Sequence, residues 1–359
     1  MKKIKKNQSA YDFILWTILA IVLGLVLSFA FLPMFGVNPI DAVGIMFSEV
    51  FANGYSMGNI LVKTTPLILT GLAFAFTYKA KLFNIGVQGQ FYVGCIIAAA
   101  ISLKLVGILP GPIVIILAAI GAMIGGGFVG FLIGFFKARF GANEFLVSMM
   151  STYVFTYLNL LLMRTVLQES KHNYIKTDYL DKSTWLPKLI PGTSVSWGIV
   201  LSVLTALLVW FILYKTTLGY RIRVTGINKE AAGMAGVNPK KQYMIAFAIS
   251  GAIAGFAGFI EVNGMQHMML PDFNADVGSF GVGIAILANS HPIGIIFAAL
   301  LFGFLQVGGT ALGHSSDAPA SVIELMQGFV MLFVLMSFFF RRKIELKRLK
   351  KMKSENEEG

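Results

Sequence analysis

The sequence predicts an all-α, polytopic integral membrane protein of about ten transmembrane helices, some of them broken or re-entrant. Three observations carry this. Hydrophobic residues make up 56% of the 359 positions and charged residues only 13%, about half the charged share of a soluble domain. Apolar runs of about 20 residues, the length that crosses a ~30 Å hydrocarbon layer, recur along the chain. There are 38 glycines, and small residues let helices approach closely in lipid, where packing rather than expulsion of water drives association.

The spans fall in order over 12–35, 58–78, 85–103, 113–135, 144–163, 195–214, 243–262, 276–290, 293–312 and 321–340. The first follows a basic start, residues 1–11, and continues to Leu32-Pro33 without an Ala-x-Ala cleavage pattern. It is too long for a secretory h-region and is read as a retained helix. Next, Asn38-Pro39 offers a cap with proline at the first helical position, and Ile40, Val43, Phe47, Val50 and Phe51 follow at helical spacing. That segment, within 36–57, predicts an amphipathic helix on the outer interface, or else a packed loop helix. Residues 164–194 form a long outer loop, 215–242 a long inner one, and 341–359 a charged tail after the membrane domain of 12–340.

The 29 basic residues set the orientation. With the N-terminus inside, twenty-two of them fall on inner segments: Lys2 to Lys6, Lys79 and Lys81, Lys137 and Arg139, six in 215–241, and eight from Arg341 to Lys353. The positive-inside rule then puts both termini in the cytoplasm, and it explains a net charge of +12 with no nucleic-acid partner.

Catalysis finds no support. Cys95 is the single cysteine, and His172, His267, His291 and His314 form no His-x-x-x-His pair, so no metal site is expected. Neither a Gly-x-Ser-x-Gly elbow nor a Gly-Lys-Ser/Thr phosphate loop occurs, so the chain itself holds no ATP. Glu144, Glu261, Asp276 and Glu324 are scattered near span interiors or ends without evident pairing.

Polar residues meet glycines at three interruptions: Phe83-Asn84-Ile85-Gly86-Val87-Gln88-Gly89-Gln90, Gly141-Ala142-Asn143-Glu144 running on to Ser148, and Asn289-Ser290-His291-Pro292. Each suits a broken helix beside a water-filled path, because freed backbone groups at membrane depth need protein or water as partners. Each also suits an ordinary helix end.

These same segments resemble the permease subunits of ATP-binding-cassette (ABC) importers of the branched-chain amino acid, simple sugar and nucleoside group. Thr65-Pro66-Leu67-Ile68-Leu69-Thr70-Gly71-Leu72-Ala73 and Asn84-Ile85-Gly86-Val87-Gln88-Gly89-Gln90 are similar to two signatures of that family. Asn143-Glu144 with Ser148-Met149 resembles a third, and Gly226 to Gly236 followed by Ser250 to Gly258 resembles its cytoplasmic loop and the next helix. The resemblance covers roughly 38–340 in order. It departs at Gln88, where the family usually has glutamate, at Ser148 in place of threonine, and at Ala288-Asn289-Ser290.

The resemblance is strongest to the larger permease of purine-nucleoside importers fed by a lipoprotein of the basic membrane protein family. It implies a second permease, a cytoplasmic ATPase that uses ATP and Mg, an external substrate-binding lipoprotein, and a nucleoside substrate, with a simple sugar such as ribose or galactose as the alternative. An ion-coupled carrier is the reading of another class, but no internal repeat supports it. Asn84, Gln88, Gln90, Asn143 and Ser148 are the expected substrate-path side chains. ATPase coupling is expected at 226–242, where Asn228 caps a short helix carrying Glu230, Ala231 and Ala232 and ending at Gly236.

Overall fold

The computed structural model describes residues 18–51, 54–170, 174–271, 273–274, 276–315, 324–333 and 336. Among these the architecture is helical, with two isolated bridges, Val106 to Leu109 and Lys188 to Ser196, and no strand. The chain divides into two compact units, one of residues 1–53 with 304–359 and one of 54–303.

In the first unit, α1 (18–31) runs into a 3-10 turn, Leu32–Phe35, closed by Gly36 at φ 75°. Then α2 (Pro39–Phe51) leaves at 115° to the preceding segment. The buried stripe of α2 is Ala42, Met46 and Val50, while Ile40, Phe47 and Phe51 stay exposed. Only Val50 of the apolar set read from the sequence faces inward. The start of α13 (Glu324–Phe333) holds α1: Phe31 stacks on Phe329 at 5.1 Å, and a Cβ on Gly24 would meet the Val330 backbone at 2.7 Å.

The second unit contains α3 (Gly54–Tyr78), α4 (Val87–Leu105), α5 (Gly111–Phe140), α6 (Glu144–Thr165), α7 (Gly198–Lys215), α8 (Thr217–Ile227), α9 (Lys229–Met234), α10 (Pro239–Glu261) and α11 (Val277–Leu287), and the start of α12 (Pro292–Ser315). Its centre is a seam without side chains. Gly126, Gly130 and Gly134 on α5 meet Gly251, Gly255, Phe247 and Met244 on α10, and a Cβ at any of these glycines would strike opposing backbone. On its other side α10 meets α4 in the same way, Gly258 and Gly255 lying against Phe91, Gly94 and Cys95. Glycines four apart on one helix face permit this approach, which dispersion between backbones then stabilises.

Seven described helices are long and apolar enough to cross a membrane: α3 to α7, α10 with its extension to Gln266, and α12. The expected count of about ten full crossings is therefore not met among the described residues. The span drawn over 276–290 is the 11-residue α11, about 16 Å long at 1.5 Å per residue and thus about half a bilayer. It stops where Asn289 and Ser290 take left-handed backbone, φ 51° and 52°, ahead of Pro292. The first and last drawn spans lie partly outside the described residues.

Between α6 and α7, residues 174–197 are tied down over the end of α10. Asn263 Nδ2 donates to Ser102 Oγ (2.8 Å) and to the Thr184 carbonyl (3.0 Å), and Leu180 N donates to the His267 carbonyl (2.8 Å). Trp185 stacks on His267 with ring centroids 3.7 Å apart. Burial, reinforced by Lys188, holds the His267 imidazole down at about 4, so it is neutral at physiological pH.

Candidate translocation path and coupling face

Two interruptions of the helical pattern meet inside the second unit. The first lies between α3 and α4, where Lys81 is left-handed at φ 59° and Asn84 is fully buried. Asn84 and Gln90 exchange two amide hydrogen bonds, Asn84 Nδ2 to Gln90 Oε1 at 3.0 Å and Gln90 Nε2 to Asn84 Oδ1 at 3.3 Å. Asn84 Nδ2 also donates to Ser250 Oγ (2.9 Å), whose own hydroxyl donates to the Ala73 carbonyl (2.6 Å), while Asn84 Oδ1 accepts from Gly86 N (3.1 Å). The two amides thus lock the loop to α3 and α10.

The second interruption follows α10, which ends in a π-helical turn, Val262–Gln266, before the chain reverses into α11. Single π turns inside α-helices recur at functional sites because they shift side chains off the helical register. Here the turn gathers a polar cluster in an apolar bundle. Glu261 Oε1 accepts from Gln266 Nε2 (3.1 Å) and Asn274 Nδ2 (2.5 Å), while Glu261 Oε2 is buried with no hydrogen-bond partner among the described residues. Gln88 joins from α4: its Nε2 donates to the Asn274 carbonyl (3.0 Å), and its Oε1 accepts from Gly278 N (2.6 Å) in the first turn of α11. A half-helix beginning within a bundle, with a carboxamide on its first turn and a carboxylate beside it, is an arrangement that can pass hydrogen bonds to a polar solute.

The expected path residues therefore divide. Asn84, Gln88 and Gln90 converge on these interruptions. Ser148 is buried nearby, its Oγ accepting from Ile85 N (3.3 Å) and donating to the Phe145 carbonyl (3.1 Å). Asn143 is not with them: it is exposed and caps α6 by accepting from Phe145 N at 3.0 Å. Glu144, next to it, pairs with Lys137 at 2.7 Å. Glu261 and Asn274 were missed as a pair because they are 13 residues apart, and no regular helical spacing aligns residues on either side of a π turn and a reversal. The available signal was Glu261 itself, an ionisable residue inside an apolar run.

On the side where α3, α5 and α7 end, α8 and α9 follow each other. Asn228 caps α9 through Oδ1, which accepts from Glu230 N (2.9 Å) and Ala231 N (3.0 Å), and Gly236 turns the chain out at φ 78°. Ala232, expected on an outer docking face, is instead turned inward and fully buried, where it packs α9 onto its own chain. The outward face is Ile227, Ala231 and Met234, with Ile227 83% and Met234 86% exposed, beside Glu230. Next to α9 opens a cleft of about 950 Å³, bordered by Lys81, Lys137, Arg139, Glu144, Lys229 and Lys240 among others.

Residues 56–335 match the family model described as "Branched-chain amino acid transport system / permease component". Among characterised proteins, the chain is 32% identical to the guanosine ABC transporter permease protein NupP of Bacillus subtilis (strain 168), over 90% of this chain and 93% of that one. It is 30% identical to the nucleoside ABC transporter permease protein NupB of Lactococcus lactis subsp. cremoris (strain MG1363), over 90% and 91%. The glucose ABC transporter permease protein TsgB13 of Haloferax volcanii is also 30% identical, over 90% and 88%. With seven described helices apolar enough to cross a membrane and a family match that runs through all of them, this chain belongs to the permease components of the branched-chain amino acid transport family.

Proposed function

We propose that this chain is the membrane-spanning permease subunit of an ATP-driven importer that brings a purine nucleoside such as guanosine into the cell. The observation that carries the reading is the 30–32% identity, over 90% of this chain, with permeases named for nucleoside and guanosine transport. ATP and Mg belong to a cytoplasmic ATPase, which docks on the exposed side chains of Ile227 at the end of α8 and Met234 at the end of α9. A second permease completes the path, and an external lipoprotein delivers the substrate. Both termini and 215–242 face the cytoplasm, and 164–194 faces outside.

The path runs past the two interruptions, with Asn84, Gln88, Gln90 and Ser148 shaping it and Asn143 at its inner edge. Gln88 and Glu261 are the groups best placed to touch the solute, since Glu261 Oε2 has no partner among the described residues and can accept from a base N–H or a ribose hydroxyl. Uptake of labelled guanosine by the assembled importer tests this. Unlabelled purine nucleosides must compete; competition by ribose or glucose alone would favour the sugar reading that the Haloferax relative supports. Uptake unimpaired by both Gln88→Ala and Glu261→Gln would move the path elsewhere.

A further inference from the structure

Where α3, α7 and α8 end and α11 turns into α12, the second unit gathers positive charge that no described carboxylate balances. Lys79, one residue past α3, donates from Nζ to the Asn289 carbonyl at 3.4 Å. Gly226 of α8 packs against the backbone of Lys79 and Ala80, which brings Arg223, one turn earlier, to the same place. The Arg223 guanidinium lies 5.2 Å from the Tyr214 ring centroid, and Tyr214 in turn lies 5.6 Å from the His291 ring. Among the described residues no carboxylate pairs with Lys79, Lys81 or Arg223.

Two polar atoms here are buried without a hydrogen-bond partner among the described residues, Arg223 Nε and the Ser290 hydroxyl. Buried donors of that kind are costly, the more so on a charged group, unless something accepts from them. The charges also press on one another. Burial, with Lys81 and Arg223 close by, brings Lys79 down to about 8, and burial together with Lys79 lowers His291. Only an acceptor of negative charge relieves all of these at once.

We propose that Lys79, Arg223, His291 and the Ser290 hydroxyl form a site for a phosphate group, supplied by the headgroup of an anionic phospholipid or by free phosphate. The chemistry fits the group. Arg223 offers a planar fork suited to two phosphate oxygens, Lys79 a point charge, and Ser290 a neutral donor. The position favours the lipid source, because the cluster sits where spanning helices end and aromatic residues line the same level. Trp210 lies under Lys215 at 5.9 Å, with Tyr214 beside it, and basic pockets between helices at that level select anionic headgroups.

The full-length chain, stripped of lipid in neutral detergent, is titrated with phosphatidylglycerol, with phosphatidylcholine of the same acyl chains, and with inorganic phosphate, bound lipid being read by native mass spectrometry. Phosphatidylglycerol should bind in preference to phosphatidylcholine. Lys79→Gln with Arg223→Gln should weaken that binding at least about tenfold, while Lys241→Gln leaves it unchanged. Arg223→Lys keeps the charge and loses the fork, so it should fall between wild type and the double variant, and it stands in should the double variant not fold. Displacement of phosphatidylglycerol by millimolar phosphate supports the site with the free ion as a second occupant. Equal binding of both lipids with no effect of phosphate, or unchanged binding in the Arg223 variants, overturns the proposal. So does a result in which these charges matter only for recovery of the ATPase subunit, which would make the cluster a protein contact.

Discussion

Replacing Asn84 by alanine removes four hydrogen bonds from a fully buried place: two exchanged with Gln90, one to Ser250 and one from Gly86 N. Ser250 keeps its bond to the Ala73 carbonyl, so the chief casualty is Gln90, whose amide is left buried with neither partner. At about 0.5 kcal/mol for each of the four net bonds, the low end for neutral pairs, plus about 1–3 kcal/mol for a stranded polar group, Asn84→Ala should cost about 3–5 kcal/mol. Converting Gln90 to leucine in the same chain removes the stranded group, so the double variant should recover about 1–2 kcal/mol relative to the sum of the single changes. With roughly 2–4 °C per kcal/mol for a domain of 150–250 residues, the single variant should lose about 6–20 °C in its midpoint of thermal aggregation in detergent. Size-exclusion recovery after heating, taken at one fixed heating time, measures all four members of the cycle. Strict additivity would show that the two amides do not depend on each other, and the account of the loop as a locked pair would be wrong.

Three other outcomes follow from the same geometry. Gly255→Val places a side chain into the Ala122 carbonyl and should cost about 1–3 kcal/mol or more, seen as lost yield of monodisperse protein, whereas Gly233→Ala, with nothing within 4 Å, should be neutral or slightly stabilising. Asn228→Ala should cost the cap about 0.5–2 kcal/mol, enough to fray the six-residue α9; ATPase stimulation should fall while membrane insertion is unchanged, and Asn228→Asp should restore it. His267 is held near 4 in the folded chain against 6.5 when free, so between those values the unfolded chain binds a proton that the folded chain does not. Stability should therefore decline as pH falls from about 6.5 to about 4, and the decline should be shallower in His267→Phe, which keeps the stack on Trp185, as followed by thermal midpoints across that range.

The helical class and the membrane were plain from composition because hydrocarbon admits few structures, and the α9 cap was plain because an asparagine before Lys-Glu-Ala-Ala has one good use. Packing was harder to read. Ala232 and Ala231 look alike in sequence, and only the way α8 and α9 lie together decides that one is buried and the other is not. The half-length of α11 was hidden because Asp276 to Leu287 is as apolar as a true span, and what shortens it is a reversal of the chain that brings Gly278 onto Gln88. The Glu261 cluster was hidden for a related cause: its members meet through a π turn, which breaks the 3.6-residue period on which reading helical faces depends.

The glycine seam between α5 and α10 has a consequence for the birth of the protein. Gly126 and Gly255, which end in backbone contact, are separated by 129 positions in the chain. At about 5–20 residues per second, α5 leaves the ribosome roughly 6–26 s before its partner arrives. Throughout that interval its bare glycine stripe faces lipid or the insertion machinery, without the backbone neighbour that will later cover it. A bare stripe admits any helix with an equally small face, so the flatness that makes the finished contact close also leaves the nascent helix open to a wrong partner until α10 arrives.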